Sequence, residues 1–513
     1  MTVSRLLRLA LLLVVVVSLA LASLAIATST NSTTVPPDPS AKPPAPGQST
    51  PRQSTPGQST QTPLTIGGTR GVGDPYFPDY GSGGYDAVKY AVDVDFDPND
   101  GTLTGRTVIT ARATARLNSF YLDLALPASK VLVNDAVATF ALEGFQDLRI
   151  TPSAPVKAGR EFSVTVEYAG TPGSLPQPGF DESPWRTGKD EWLVAGEPEA
   201  SAWWYPANDH PSDPALLDVS IRVPRTYQAI SVGRLVSRDT GDEAEFDTWR
   251  WQTSQPAPTY ATFLAIGRYS IREGEADGRP SFYAVSEQIA QQDRERIFVA
   301  LERTPTAIRE LEAFAGPYPY TEIGGIVPAI DLWFAGLETA TRPVYHRGAL
   351  LDEEYSDELL VHELAHMWFG DHVTLLQWND IFTNEAFASW AHWEVVARRG
   401  DRSTDAQLDR TYRATKRDQE FWRATMIDPG KEELFNTVYV RGPMTLAALD
   451  NVMGDAAFDT LIRSWAQQKS GPRSLEDFMA TAQAHTTIDL GPFFQEWLSD
   501  PDAPARTKAN GFS

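Results

Sequence analysis

The chain contains no cysteine. Disulfides, thiolate metal sites, cysteine nucleophiles and lipid attachment through a cysteine are all excluded. Histidine is scarce too, with seven in 513 residues. Positive charge is short: 44 Lys and Arg stand against 67 Asp and Glu, for a net charge of −23. Residues 1–63 hold four Lys/Arg and one Asp, so the remainder is more acidic still. Such a surface repels nucleic acid and anionic lipid. It is compatible with solubility alone, or with mild attraction for cationic substrates such as free peptide amines.

What is present begins with an apolar run, Leu9 to Ala27, behind Arg5 and Arg8. The charge order is that of an export signal, and Ala25-Ile26-Ala27 resembles a small-x-small cleavage site. The run is also close to the roughly 20 residues that span a bilayer. Residues 1–27 therefore predict a cleaved signal or a retained anchor. In either case the body is exported, secreted or held at the outer face of the membrane.

Length predicts about three domains. Residues 28–83 follow as a Pro/Ser/Thr-rich disordered linker, with the repeats PGQST, PRQST and PGQST at 46–60. Extended, residues 28–63 of it reach on the order of 100 Å. From 84 to 270 the pattern is β. Tyr90, Val92, Val94 and Phe96 alternate with Asp93, Asp95 and Asp97, and 161–168 and 216–223 repeat the scheme. That predicts an antiparallel sheet with one wet face. A second domain is expected over 271–500; after about 285 the period becomes helical, broken at Pro305 and by a strand over 324–334, and helices fill 356–500. Residues 501–513 are left as a C-terminal tail.

Three of the seven histidines fall in VHELAHMWFGDH, residues 361–372. Ser356 reads as an N-cap and Gly370 as a stop, predicting a helix over 357–369. His362 and His366 at i and i+4 then share one face, as a tetrahedral Zn²⁺ requires, with Glu363 placed to reach a water beside the ion. The third ligand has two candidates. His372 has the H-E-x-x-H-x-x-G-x-x-H spacing, but residue 369 is Phe and the glycine comes one place late. Glu385, in TNEAFASWAHWEVVAR, falls in the first turn of a second helix capped by Thr383 or Asn384. It would complete His₂Glu with one position open.

The run His362-Glu363-x-x-His366, eighteen residues, then Glu385 within N-E-A-F-A resembles the zinc signature of the aminopeptidase N family, the gluzincins. W-F-G-D-H-V-T (368–374), W-N-D (378–380) and the close D-L-G-P-F-F-Q-E-W-L (489–498) fit as well. The resemblance implies an N-terminal β-sandwich or saddle domain and a thermolysin-like α+β catalytic domain ending in helices. It implies one Zn²⁺, peptide substrates with a free N-terminus, and Glu363 as the base. The family's G-x-M-E-N segment corresponds to Ala335-Gly336-Leu337-Glu338-Thr339, so Glu338, with Gly336, would bind the substrate's α-amine. The loss of the family Asn to Thr339 leaves that residue's part open. Glu197 is implied as a second amine-binding carboxylate by its place before Tyr205-Pro206. Tyr439, in Y-V-R-G, is implied as the oxyanion donor. Two rivals stand beside this reading: a thermolysin-like zinc endopeptidase, and a tethered, non-catalytic zinc-binding protein.

Overall fold

The alternation of residues 90–97 becomes β1 (Tyr85–Asp97), with Tyr90, Val92, Val94 and Phe96 buried and the aspartates exposed. The structure, a computed structural model, describes residues 67–176, 183–240 and 245–512. The apolar N-terminal run and residues 28–66 of the linker lie outside the described residues. Among the described residues, no helix is long and apolar enough to cross a membrane.

β1 pairs antiparallel with β2 (Thr102–Ala113), which pairs with β3 (Glu161–Gly170). On its other side β1 meets β4 (Leu216–Pro224) in parallel, where the sequence predicts antiparallel pairing throughout. The long excursion between β3 and β4 returns the chain to the far side of β1, and a parallel pair needs such a crossover. The resulting eight-stranded sheet is joined by smaller sheets of four and three strands.

The next sheet opens at Tyr269. β5 (Tyr269–Ala276) and β6 (Arg279–Ser286) form a hairpin, and β7 (Ile323–Val327) joins β6 in parallel. β8 (Gly336–Leu337) and β9 (Val344–Tyr345) close the sheet, with β8 at the edge. Between β6 and β7 run α1 (Gln291–Leu301) and α2 (Thr304–Ala315), separated at Glu302 and Arg303, with Pro305 in the first turn of α2 rather than at the break. The predicted strand over 324–334 stops at Val327. The turn that follows Glu338 is pinned by Arg342, whose buried guanidinium donates to the carbonyls of Ser231, Gly233 (3.0 Å) and Phe282 (3.4 Å). Two of those carbonyls belong to the β domain, so the edge strand is tied across the domain junction.

Residues 67–83 depart from the predicted linker and are built into the fold. Asp74 is fully enclosed. Its Oδ1 accepts from the N–H groups of Tyr76 and Phe77, both at 2.8 Å. Its Oδ2 accepts from Trp378 N at 2.7 Å and faces His210 Nε2 at 3.1 Å. Ser212 N–H donates to His210 Nδ1, which leaves the Nε2 proton for Asp74. One carboxylate thus fastens the segment to both domains. These hydrogen bonds outweigh burial and hold the Asp74 carboxyl below the aspartate value of 3.8. Stability from a depressed acid is full above its unfolded pKa and is lost as pH falls through the folded one. Asp74→Ala should cost about 3–5 kcal/mol in urea unfolding at pH 7. The gap from wild type should hold down to about pH 5 and narrow below pH 4; a gap absent at pH 7 contradicts the assignment.

The predicted tail also packs. The Tyr412 hydroxyl donates to Pro504 O (2.6 Å), Trp497 Nε1 donates to Asn510 O (3.3 Å), and Phe512 is buried.

Candidate metal centre and amine site

α3 (Tyr355–Ala365) carries His362 and Glu363, with His366 at its C-cap. It starts two residues earlier than Ser356 would set it, because Asp352 Oδ1 accepts from the N–H groups of Glu354 and Tyr355. Ser356 is buried within the helix instead. The helix also ends before the predicted residue 369. His366 Nδ1 must be the protonated nitrogen, since it faces two acceptors, Phe369 O at 3.1 Å and Asn384 Oδ1 at 2.5 Å. Its Nε2 lone pair is left free to bind a cation.

Three donor atoms converge. His362 Nε2 lies 3.2 Å from His366 Nε2 and 3.2 Å from Glu385 Oε2, and His366 Nε2 lies 3.5 Å from the same oxygen. A tetrahedral ion with ligands at about 2.0–2.1 Å holds them about 3.3–3.4 Å from one another. The residues fit zinc. His372 is elsewhere, its Nε2 donating to Gln468 O at 3.0 Å.

Glu385 reaches the rings by a route the sequence does not predict. Residues Phe382–Ala386 form a π turn leading into α4 (Phe387–Arg398). Neither Thr383 nor Asn384 caps a helix; both are buried. Asn384 bridges the site: its carbonyl oxygen accepts from His366 Nδ1–H, and its Nδ2 donates to Glu338 Oε1 at 3.3 Å. Gly370 makes room for it. At φ +124°, a Cβ there would stand 2.2 Å from Asn384 Oδ1. Sequence reasoning missed Asn384, whose position beside Glu385 was its one signal.

Y-V-R-G lies in the first turn of α5 (Val438–Met453), and Pro443 sits inside that helix. The Tyr439 hydroxyl donates to Glu385 Oε1 at 3.1 Å. The side chain is 36% exposed, but loss of water around its hydroxyl, then Glu385, Glu197 and Glu338, push that phenol above its ordinary range, so it stays a donor. Gly442 permits the approach, since a Cβ on it would lie 2.3 Å from that of Ala386. The buried Arg441 donates to the carbonyls of Trp422, Ala424, Trp497 and Asp500 and anchors the helix start.

Glu338, Glu363 and His366 offer ligand atoms within 4.8 Å of one another, as do Glu197, Glu338 and Glu385. Glu338 accepts from the Tyr260 hydroxyl at 3.2 Å. Gly336 of β8 passes over Glu363 so closely that a Cβ would meet its Oε1 at 2.3 Å. Thr339, in place of the family Asn, closes the turn after Glu338 by donating Oγ1–H to Arg342 O at 2.7 Å. Glu197 presents a buried Oε1 without a hydrogen-bond partner. Burial raises its pKa well above the glutamate value, and Glu338, Glu385 and Glu363 add to the shift against His366. The Glu363 carboxyl is raised in the same way, by burial and then by Glu338 and Glu385, with His366 opposing. Burial works against charge on His366, but Glu338, Glu385 and Glu363 outweigh it and raise its pKa. The cavity holds an excess of negative charge that a cation would relieve.

The donor set of His362, His366 and Glu385 has the form of a zinc site. Residues 299–497 match the peptidase family M1 domain. The chain is 28% identical over 267 residues to human endoplasmic reticulum aminopeptidase 1, covering 49% of this chain and 28% of that protein. It is 24% identical over 443 residues to aminopeptidase N of Streptomyces lividans, covering 80% of this chain and 50% of that one. The chain thus spans half or less of these curated relatives. The crystal structure of the M1 zinc metallopeptidase of Deinococcus radiodurans superposes with a TM-score of 0.74 at 25% identity, over 85% of this chain and 98% of that one. A variant of that Deinococcus protein has been solved with the substrate Tyr-Ser-Ala bound.

Proposed function

We propose that the protein is a zinc-dependent aminopeptidase that removes residues singly from peptides with a free N-terminus. The observation that carries this is the pairing of Glu197 and Glu338 within 4.8 Å of Glu385, with one oxygen of Glu197 buried and unpartnered. A protonated α-amine supplies the missing donors and charge, and it lies one residue from the bond to be cut. An internal peptide segment brings no charge and leaves both carboxylates buried without a counterion. The thermolysin-like endopeptidase reading lacks any use for this pair.

His362, His366 and Glu385 would hold one Zn²⁺ per chain. When bound, the ion supplies Lewis acidity to a water and to a carbonyl oxygen. Glu363 takes the proton from the attacking water and passes it to the leaving amine nitrogen. The Tyr439 hydroxyl turns from Glu385 to donate to the carbonyl oxygen as negative charge gathers there. Glu338 and Glu197 orient the substrate, and Asn384 keeps His366 and Glu338 in fixed relation. The names of the relatives and the tripeptide bound by the Deinococcus variant support the same reading. The apolar run behind Arg5 and Arg8 supports an exported enzyme, secreted or tethered by its linker.

The test is mass spectrometry of a free hexapeptide and its N-acetylated twin, each with zinc and with chelator. The free peptide should shorten from its N-terminus in single-residue steps, only with zinc, while the twin stays intact. Internal cleavage of both overturns the reading.

A further inference from the structure

Trp333 stands apart from the other tryptophans. Trp203, Trp204, Trp249, Trp251, Trp368 and Trp378 are all fully buried, whereas Trp333 is 44% exposed. No part of the mechanism above uses it. Its position is informative, because it touches both stretches of chain that deliver the amine-binding carboxylates. Trp333 lies five residues before Glu338, on the run that continues through Ala335 into β8. Across the cleft it meets Gly196, the residue before Glu197: a Cβ on Gly196 would stand 3.4 Å from Trp333 Cη2.

The indole is also held in place. Phe334 packs against it edge-on, with centroids 4.9 Å apart. The Arg186 guanidinium lies 5.6 Å from its centroid and donates to Asp331 O at 3.2 Å. An exposed aromatic surface that is already ordered loses little freedom when something packs on it.

This inference rests on the aminopeptidase reading and sharpens it. With the amine on Glu197 and Glu338, the first residue's Cα is fixed, and its side chain must leave past the walls that adjoin those glutamates. We propose that Trp333 forms the wall of the pocket for that side chain and selects substrates whose first residue is aromatic. An aromatic ring gains both apolar burial and an offset or edge-on contact with the indole. A methyl side chain is too short to gain either. The nearby Arg186 makes a cationic first residue a poorer fit than phenylalanine or tyrosine.

The experiment compares wild type, Trp333→Ala and Trp333→Phe on phenylalanyl, arginyl and alanyl chromogenic substrates. Wild type should prefer phenylalanyl. In Trp333→Ala, kcat/KM on phenylalanyl should fall roughly three- to tenfold, the scale of one aromatic contact, with alanyl unchanged, and Trp333→Phe should restore part of the loss. Equal losses on all three substrates, or no loss on phenylalanyl, overturn the proposal. Failure of wild type to cut any of the three would count against the aminopeptidase reading instead. In that event, titration calorimetry with L-phenylalanine and L-alanine decides the matter. L-phenylalanine should bind wild type roughly three- to tenfold tighter than Trp333→Ala, and equal affinity rejects the pocket. Trp333 is 44% exposed, so both variants should fold, and unfolding curves on the same preparations check that they do.

Discussion

Glu363→Gln should keep its zinc and its fold while kcat on free peptides falls by about 10²–10⁴-fold, the usual weight of a positioned general base. The substitution preserves volume in a place where volume matters, because the Gly336 backbone runs directly over this side chain. It also leaves the ligand set His362, His366 and Glu385 untouched. What it removes is the ability to accept a proton from water and return it to the departing amine. Metal content by atomic emission and steady-state kinetics on the same preparation check both halves. Full zinc with turnover within tenfold of wild type would remove Glu363 from the reaction.

Glu338→Gln should lower kcat/KM on free-amine substrates by roughly 150- to 5,000-fold, the equivalent of the roughly 3–5 kcal/mol lost when one member of a buried ion pair is deleted. Glutamine keeps an oxygen to accept from Tyr260 and Asn384, so the local frame survives and only the charge goes. The same change should barely alter any residual cutting of an N-acetylated peptide, since that substrate never used the charge. Preference for free over blocked termini therefore collapses in this variant. An equal loss on both substrates would instead mean that Glu338 acts through Asn384 on His366.

These two glutamates show how far a sequence can be read. Glu363 lies inside a helical repeat of four, and the geometry of His362 and His366 follows from that spacing alone. Glu338 and Glu197 are separated by a domain junction. Only the resemblance to a family picks them out, and only the fold puts them side by side. The alternation in β1 is legible because one face meets a core and the other meets water. Its parallel pairing with β4 is not, because nothing local encodes which edge a returning strand will join.

Helix ends were misplaced for a related reason. Ser356 has the chemistry of a cap, but Asp352 does the work first, and the choice depends on where the preceding loop runs. Asn384 and Gly370 form one device, a side chain and the gap that admits it, yet they stand 14 residues apart and each looks ordinary alone. Asp74 is similar. A short stretch rich in glycine and proline reads as linker until His210 and Trp378 supply the partners that bury it.

The central claim is spatial: a cation held by two imidazoles and Glu385, with the Glu197–Glu338 pair one amino acid away. Crystals grown with zinc and measured at the zinc absorption edge test it most directly. The account predicts a single anomalous peak about 2.0–2.2 Å from His362 Nε2, His366 Nε2 and a Glu385 oxygen. A peak among Glu338, Glu363 and His366 instead, or one beside His372, would contradict it.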